Sequence, residues 1–170
     1  EPLTHLLEKQ VQAQPEAIAL ICGERQLSYA ELDVQATYLA QRLANLGFAP
    51  GDRALVQLAN QSEFYIVFFA LLKAGVAPVN ALFSHSRLEL LAYAGQVRPR
   101  LFIGSRQHPL FVDDAFLDQL QVAIPELDTL LFDGDVDPAH SLSTWFEPVA
   151  AQHVYAPTPA DQVAFFQLSG

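Results

Sequence analysis

The sequence predicts an α/β fold in which a mostly parallel sheet carries helices on both faces. Three observations support this prediction. Strand-like and helix-like segments alternate along the 170 residues. Apolar runs such as Ala17–Cys22 are typical of strands that are buried on both sides. Two Ser-x-x-Glu capping boxes, at 28–31 and 86–89, mark helix starts between predicted strands. Strand–helix–strand units at these spacings favour parallel crossover connections.

The first third of the chain is predicted to contain two helices and two strands. A helix follows Thr4, and Ala17–Cys22 forms the first strand. The first capping box begins a long helix at Ser28, and Gly47 ends it. The next predicted strand is Ala54–Leu58, which follows a Pro-Gly-Asp turn.

The middle of the chain continues the alternation. Glu63–Lys73 reads as a helix that is apolar nearly all round, so we expect it to be buried. Gly75 can take the left-handed conformation that closes a helix, and the short strand Ala77–Asn80 follows at once. The second capping box begins a helix at Ser86 that runs to about Gly95.

The last third is predicted to contain three strands, one helix and a polar loop. The predicted strands are Leu101–Ile103, Thr129–Phe132 and Val163–Phe166. The predicted helix is Val112–Val122, and the polar loop is Asp133–Leu142. The sequence shows no internal repeat and no composition shift that would mark a domain boundary.

Composition limits the possible functions. Hydrophobic residues make up 51% and charged residues 16%, which is typical of a folded globular protein. The net charge of −10 argues against a nucleic-acid partner. No apolar run reaches the ~18 residues that a membrane span needs. The single cysteine, Cys22, excludes an internal disulfide and fits a cytoplasmic protein. Because the chain contains no Met, we expect its natural N-terminus to be missing.

Metal and nucleophile patterns give no catalytic candidate. The five histidines lack the spacing of a helical zinc pair. Asp133, Asp135 and Asp137 resemble a calcium loop, but Gly134 is misplaced and no Glu follows at the required distance. We therefore expect a solvated acidic loop and no metal site. No Gly-x-Ser-x-Gly motif occurs either.

His85 and Arg87 are weak candidates for a functional role. They lie between a predicted strand and a capped helix, where functional residues are common. An arginine at a helix start could meet a phosphate, although most such residues only solvate the helix end. Histidines in this setting are more often surface or packing residues.

The final residues, Val163–Gly170, run from an apolar, aromatic segment into Ser169 and Gly170. A strand that opens into a glycine loop is how many phosphate sites begin, because backbone N–H groups in the turn can face an anion. Ligands of parallel sheets also bind at the carboxyl ends of strands. A plain turn explains the same two residues.

Three ordered motifs resemble those of the adenylate-forming enzymes. Leu27–Leu32 is similar to their first core motif, Leu72–Val79 to their second, and Gln167–Gly170 to the start of the third, a phosphate loop that ends in Lys. The stretches most similar to stand-alone aryl acid ligases of siderophore pathways are Ala54–Asn60, Phe68–Arg87 and Phe165–Gly170. The motif residues whose role the resemblance implies to be mainly structural are Ser28, Tyr29, Glu31, Lys73, Gly75 and Pro78.

The resemblance implies a two-step ligase that uses ATP and Mg²⁺. Such an enzyme converts 2,3-dihydroxybenzoate or salicylate to an aryl-AMP, and then transfers the acyl group to the phosphopantetheine thiol of an aryl carrier protein. Residues 1–170 would form a partial N-terminal subdomain that ends where the phosphate loop starts. Ser169 and Gly170 would help to hold the ATP phosphates. We expect this portion alone to be inactive and to bind ATP and Mg²⁺ weakly.

Two alternatives remain at this point. The chain could belong to an acyl-CoA ligase or to an adenylation domain of a peptide synthetase, which share the chemistry but differ in the acceptor. It could also be a non-catalytic interaction domain whose acidic surface binds a partner.

Overall fold

The computed structural model describes residues 3–134 and 136–149, and the backbone of 166–167. The helices are α1 (Leu3–Ala13), α2 (Tyr29–Asn45), α3 (Ser62–Ala74), α4 (Arg87–Val97), α5 (Ala115–Ala123) and α6 (Leu142–Trp145). The strands are β1 (Ile18–Cys22), β2 (Arg25–Ser28), β3 (Arg53–Val56), β4 (Ala77–Asn80), β5 (Leu101–Ser105), β6 (Thr129–Asp133) and β7 (Phe166–Gln167). Within the part of the chain just described, no helix is long and apolar enough to cross a membrane.

The described residues fall into two compact units that alternate along the chain. The first unit comprises 3–51, 60–77 and 145–149. The second comprises 52–59, 78–134, 136–144 and 166–167. Each unit therefore combines segments that are distant in the sequence.

In the first unit, β1 and β2 form an antiparallel hairpin that turns at Gly23, whose φ is 61°. The prediction that Ala17–Cys22 is a strand buried on both sides is wrong, because Ile18 and Ile21 are 48% and 66% exposed. A continuous apolar run does not reveal which of its side chains the fold covers. The partner strand β2 was missed because its short, mostly polar sequence leads straight into the capping box at Ser28.

Helix α2 begins as the capping box predicts. The Glu31 N–H donates to Ser28 Oγ at 3.1 Å, and the Ser28 N–H donates to Glu31 Oε1 at 2.9 Å. Helix α3 ends where predicted, because Gly75 takes a φ of 77° and lets the Val76 N–H donate to the Leu71 carbonyl at 2.9 Å.

The capping box makes the start of α2 sensitive to acid. Hydrogen bonds with Ser28, first through its backbone N–H and then through its hydroxyl, hold the pKa of Glu31 below its usual value of 4.5. A carboxylate with a lowered pKa in the folded state stabilises the fold above its unfolded pKa, and this stabilisation is lost as pH falls through the folded pKa. The amide oxygen of Glu31→Gln still accepts from Ser28 but does not titrate, so we expect this variant to lose less free energy of unfolding than the wild type as pH falls below 4.5. Urea midpoints of both proteins across this pH range measure the effect. An identical dependence of the two midpoints on pH would contradict the prediction.

The second unit is built on a sheet with the strand order β6-β5-β3-β4-β7. Strand β5 is parallel to both β3 and β6, and β7 is parallel to β4. Helices α4 and α5 pack against one face of this sheet through an apolar core. The predicted fold class, α/β with a mostly parallel sheet flanked by helices, is confirmed.

Four phenylalanines fill the centre of that core. Phe111 is fully buried, and its ring centroid lies 5.3 Å from those of Phe102 and Phe132 and 5.9 Å from that of Phe116. Gly104 leaves room for this arrangement, because a Cβ at its position would lie 2.5 Å from the Phe102 ring. Aromatic side chains thus form the centre of the packing between the sheet and α5.

The last third of the chain differs from the prediction in detail. The predicted helix Val112–Val122 is a 3₁₀ turn, Pro109–Phe111, followed by α5, which begins at Ala115. The Asp113 carboxylate accepts the Ala115 N–H at 3.0 Å, and this bond sets the later start. The predicted loop Asp133–Leu142 contains a second 3₁₀ turn, Pro138–His140. Most of the predicted strand Val163–Phe166 lies outside the described residues.

Candidate functional site

The carboxyl edge of the sheet brings the ends of β4 and β7 together. Val79 is in register with Phe166 and Asn80 with Gln167, in a parallel pairing. The chain therefore leaves β7 at the edge where the β4–α4 loop begins. Parallel sheets bind ligands at this edge. Ser169 and Gly170, the predicted phosphate-binding residues, lie outside the described residues, so their role stays a prediction.

The loop 81–86, which connects β4 to α4, is held by hydrogen bonds from the side chain of Gln57. The Gln57 Nε2 donates to the backbone carbonyls of Leu82 at 3.0 Å and His85 at 2.9 Å. Within the loop, the His85 N–H donates to the Leu82 carbonyl at 3.0 Å. Gln57 is fully buried at the end of β3. Sequence reasoning missed it, although one polar residue in the apolar run Ala54–Leu58 was a usable signal.

His85, a sequence candidate, lies inside the second unit. It is 4% exposed, and its ring centroid is 5.2 Å from that of Tyr93. Its Nδ1 accepts the Leu82 N–H at 3.3 Å, which assigns the ring proton to Nε2. The structure therefore makes His85 part of the loop's support.

His108 holds the same loop from the neighbouring strand. Its Nδ1 accepts the Leu110 N–H at 3.1 Å, so its Nε2–H donates to the Phe83 carbonyl at 2.9 Å. The His108 and Phe83 rings meet edge to face, with their centroids 5.0 Å apart. Nothing in the sequence distinguished this histidine, because Phe83 is 25 residues away and reaches it only through the fold.

Arg87, the second weak candidate, is exposed at the first residue of α4. Its guanidinium carbon lies 5.7 Å from the centre of the Phe116 ring, within reach of a cation–π contact. The helix start is closed by Glu89, which accepts the Ser86 N–H at 3.3 Å. A contact of Arg87 with a phosphate stays a prediction.

The first two motifs meet in the first unit. Ser28 and Glu31 cap α2, and Tyr29 is its first residue. Lys73, near the end of α3, is only 2% exposed, and its Nζ lies 2.8 Å from Oδ1 of Asp33 on α2. The second motif thus contacts the helix that the first motif begins. Gly75 then ends α3, and Pro78 lies within β4.

An acidic groove of about 380 Å³ lies between α5 and the segment after β6. Its lining includes Arg106, Asp114, Asp118 and Asp137. His140 Nδ1 lies 2.8 Å from Asp137 Oδ2, and this hydrogen bond lowers the pKa of the Asp137 carboxyl. In the residues that the structure describes, no three His, Cys, Asp or Glu side chains are arranged to hold a metal ion. The groove contains none of the sequence-predicted site residues.

The comparisons with known proteins agree with the motif order. The family described as "AMP-binding enzyme" matches residues 7–170. The chain belongs to this family of AMP-binding enzymes. It is 57% identical, over its whole length, to pseudomonine synthase PmsE of Pseudomonas entomophila. It is 33% identical, also over its whole length, to the 2,3-dihydroxybenzoate-AMP ligase of Bacillus subtilis.

The AMP-binding fold is also found among solved structures. The chain aligns over its full length with apo MbtA of Mycobacterium smegmatis, at a TM-score of 0.86 and 30% identity. It covers 31% of that chain, 28% of the Pseudomonas synthase and 31% of the Bacillus ligase. The chain thus spans less than a third of the length of these AMP-binding enzymes.

Proposed function

We propose that the protein containing this chain is an ATP-dependent aryl acid ligase of siderophore biosynthesis. The observation that carries the proposal is the match of the whole chain to the Bacillus 2,3-dihydroxybenzoate-AMP ligase, in a family that uses adenylates. The three motifs support it because they occur in the order that the resemblance requires. The reaction takes place in the cytoplasm, where ATP is supplied.

The proposed reaction has two steps. A carboxylate oxygen of 2,3-dihydroxybenzoate or salicylate attacks the α-phosphorus of ATP, and pyrophosphate leaves. A bound Mg²⁺ would offset the charge of the pyrophosphate. The phosphopantetheine thiol of an aryl carrier protein then attacks the acyl carbonyl, and AMP leaves. Exclusion of water from the acyl adenylate limits its hydrolysis.

The described residues contribute scaffold to this reaction. Strands β4 and β7 bring the chain to the carboxyl edge of the sheet, immediately before Ser169 and Gly170. If Ser169 and Gly170 begin the glycine loop that the motif predicts, its backbone N–H groups would suit the β- and γ-phosphates. Gln57 and His108 fix the neighbouring loop 81–86 through its backbone carbonyls. A fixed edge keeps the donors of a phosphate site preorganised.

ATP–pyrophosphate exchange by the full-length protein tests the proposal. The assay compares 2,3-dihydroxybenzoate, salicylate, benzoate, amino acids and fatty acids, with Mg²⁺ present. We expect a hydroxybenzoate to drive exchange at least about tenfold above the other acids, because a pocket that hydrogen-bonds the substrate hydroxyl leaves polar groups unpaired when that hydroxyl is missing. Exchange with only an amino or fatty acid would refute the aryl substrate, and no exchange from folded protein would refute the ligase itself.

The acceptor is tested separately, with the acid that supports exchange. Holo aryl carrier protein and coenzyme A are offered in parallel, and acyl transfer is followed by mass spectrometry. We expect a carrier-bound acyl thioester. Transfer to coenzyme A alone would keep the adenylation chemistry and refute the carrier-protein partner.

A further inference from the structure

Three polar side-chain atoms of the second unit are buried without a hydrogen-bond partner among the described residues, and two of them, Gln57 Oε1 and His85 Nε2, belong to residues joined by a hydrogen bond. Gln57 is fully buried and His85 is 4% exposed. Buried polar atoms in folded proteins are nearly always hydrogen-bonded, to protein groups or to ordered water. The pair therefore points to a group that completes it.

The orientation of each side chain is fixed by its other bonds. The Gln57 amide cannot be flipped, because Nε2 donates to the carbonyls of both Leu82 and His85. A flip would place Oε1 against those two carbonyl oxygens. The His85 ring is fixed because its Nδ1 accepts the Leu82 N–H. Gln57 Oε1 therefore needs a donor, and His85 Nε2–H needs an acceptor.

Gln57 and His85 belong to the same side of the sheet, since the His85 ring contacts Tyr93, which packs against the core that contains Leu55. Alternation along β3 puts Gln57 on the face of Leu55, which lies in the core beneath α4 and α5. The bond from Gln57 Nε2 to the His85 carbonyl makes the two residues direct neighbours. By the same alternation, the unpartnered Asn80 Nδ2 belongs to the opposite face from Val79, so it is not part of this network.

A hydroxyl group satisfies both atoms at once. Its oxygen accepts from His85 Nε2–H, and its hydrogen donates to Gln57 Oε1. A carboxylate or carbonyl offers no donor to Gln57, and an ammonium offers no acceptor to His85. Water is the usual source of a hydroxyl in a buried polar site.

We propose that one internal water molecule bridges Gln57 Oε1 and His85 Nε2 and thereby completes the hydrogen bonds that hold loop 81–86. The water links Gln57, which binds two carbonyls of this loop, to the side chain of His85 within the loop, so loss of either contact loosens the loop. The site goes beyond the proposed ligase function, since it exists whether or not the protein has that activity.

A crystal structure of the full-length protein reads the site directly. We expect one water oxygen within about 3.2 Å of both Gln57 Oε1 and His85 Nε2. A direct bond between the two side chains, an empty space, or a side-chain hydroxyl from elsewhere in the protein would each overturn the water assignment.

His85→Asn separates the bridging contact from the rest of the ring's role. The Asn side chain can place Oδ1 where Nδ1 was, so it still accepts the Leu82 N–H, but it has no donor in the place of Nε2. We expect the backbone amides of loop 81–86 to exchange hydrogen about tenfold faster in this variant, by mass spectrometry at constant pH. Ser84→Ala, an exposed residue of the same loop, is the matched control and should leave exchange unchanged.

The exchange result also has a clear contrary outcome. If His85→Asn exchanges at the rate of the wild type and of Ser84→Ala, the Nε2 contact does not hold the loop and the proposal fails. Destabilisation of the whole second unit is distinguished by the amides of its interior strand β5. These should keep their wild-type rates if only the loop is loosened.

Discussion

Phe111→Ala is expected to cost about 4 kcal/mol of the free energy of unfolding, within the range for removing a buried aromatic ring. The Phe111 side chain is fully buried and contacts the rings of Phe102, Phe116 and Phe132. Its removal leaves a cavity that β5 and β6 cannot close without breaking their pairing. Urea unfolding of the full-length protein at 25 °C measures the loss.

Phe111→Leu is the matched control for this prediction. Leucine keeps most of the volume and all of the apolar character, so we expect a loss of less than about 1.5 kcal/mol. The difference between the two variants then isolates the cavity. An unfolding free energy for Phe111→Ala within about 1 kcal/mol of the wild type would show that the aromatic cluster does not support the second unit.

Lys73→Met is expected to destabilise the first unit by about 3 kcal/mol. Methionine matches the aliphatic stem of Lys73 but leaves the Asp33 carboxylate, which is 24% exposed, without the ammonium 2.8 Å away. An unpaired charge in that position is costly because it has lost most of its water. The value lies at the low end for buried pairs, since Asp33 keeps some contact with solvent. The urea midpoint again provides the measurement.

The double variant Lys73→Met/Asp33→Leu shows whether the cost comes from the stranded charge. Replacing both partners with apolar residues removes that charge, so we expect most of the lost stability to return. If the double variant is less stable than Lys73→Met, the carboxylate has a second role on α2. If Lys73→Met costs less than about 1 kcal/mol, the ion pair does not join α2 to α3 as described.

The sequence predicted those elements whose ends have their own chemistry. The Ser28–Glu31 box gave the start of α2, and Gly75 gave the end of α3, because capping depends on a few neighbouring residues. Strand β2 was missed for the opposite reason. It has only four residues, of which Leu27 is the one apolar side chain, and only pairing with β1 makes them a strand.

The candidate site was harder to predict. His85 was singled out because it follows a strand in the sequence, yet the structure buries it against Tyr93. A local pattern cannot show that a loop folds back onto a glutamine 28 residues earlier. Gln57 and His108 bind backbone carbonyls of the loop. Every residue has such a carbonyl, so the residue types of the loop do not reveal these contacts. The motif resemblance gave the family correctly because it depends on order and spacing along the chain.

The place of β7 in the sheet has a consequence for synthesis on the ribosome. Strand β4 ends at Asn80, but the strand that covers its outer edge is translated roughly 85 residues later. At 5–20 residues per second, a nascent chain therefore carries an open strand edge for several seconds. Such an edge can pair with another chain, and Pro78, which has no N–H, weakens it as a template. Slow codons between these strands would lengthen this interval, and we would expect expression to shift towards aggregated protein.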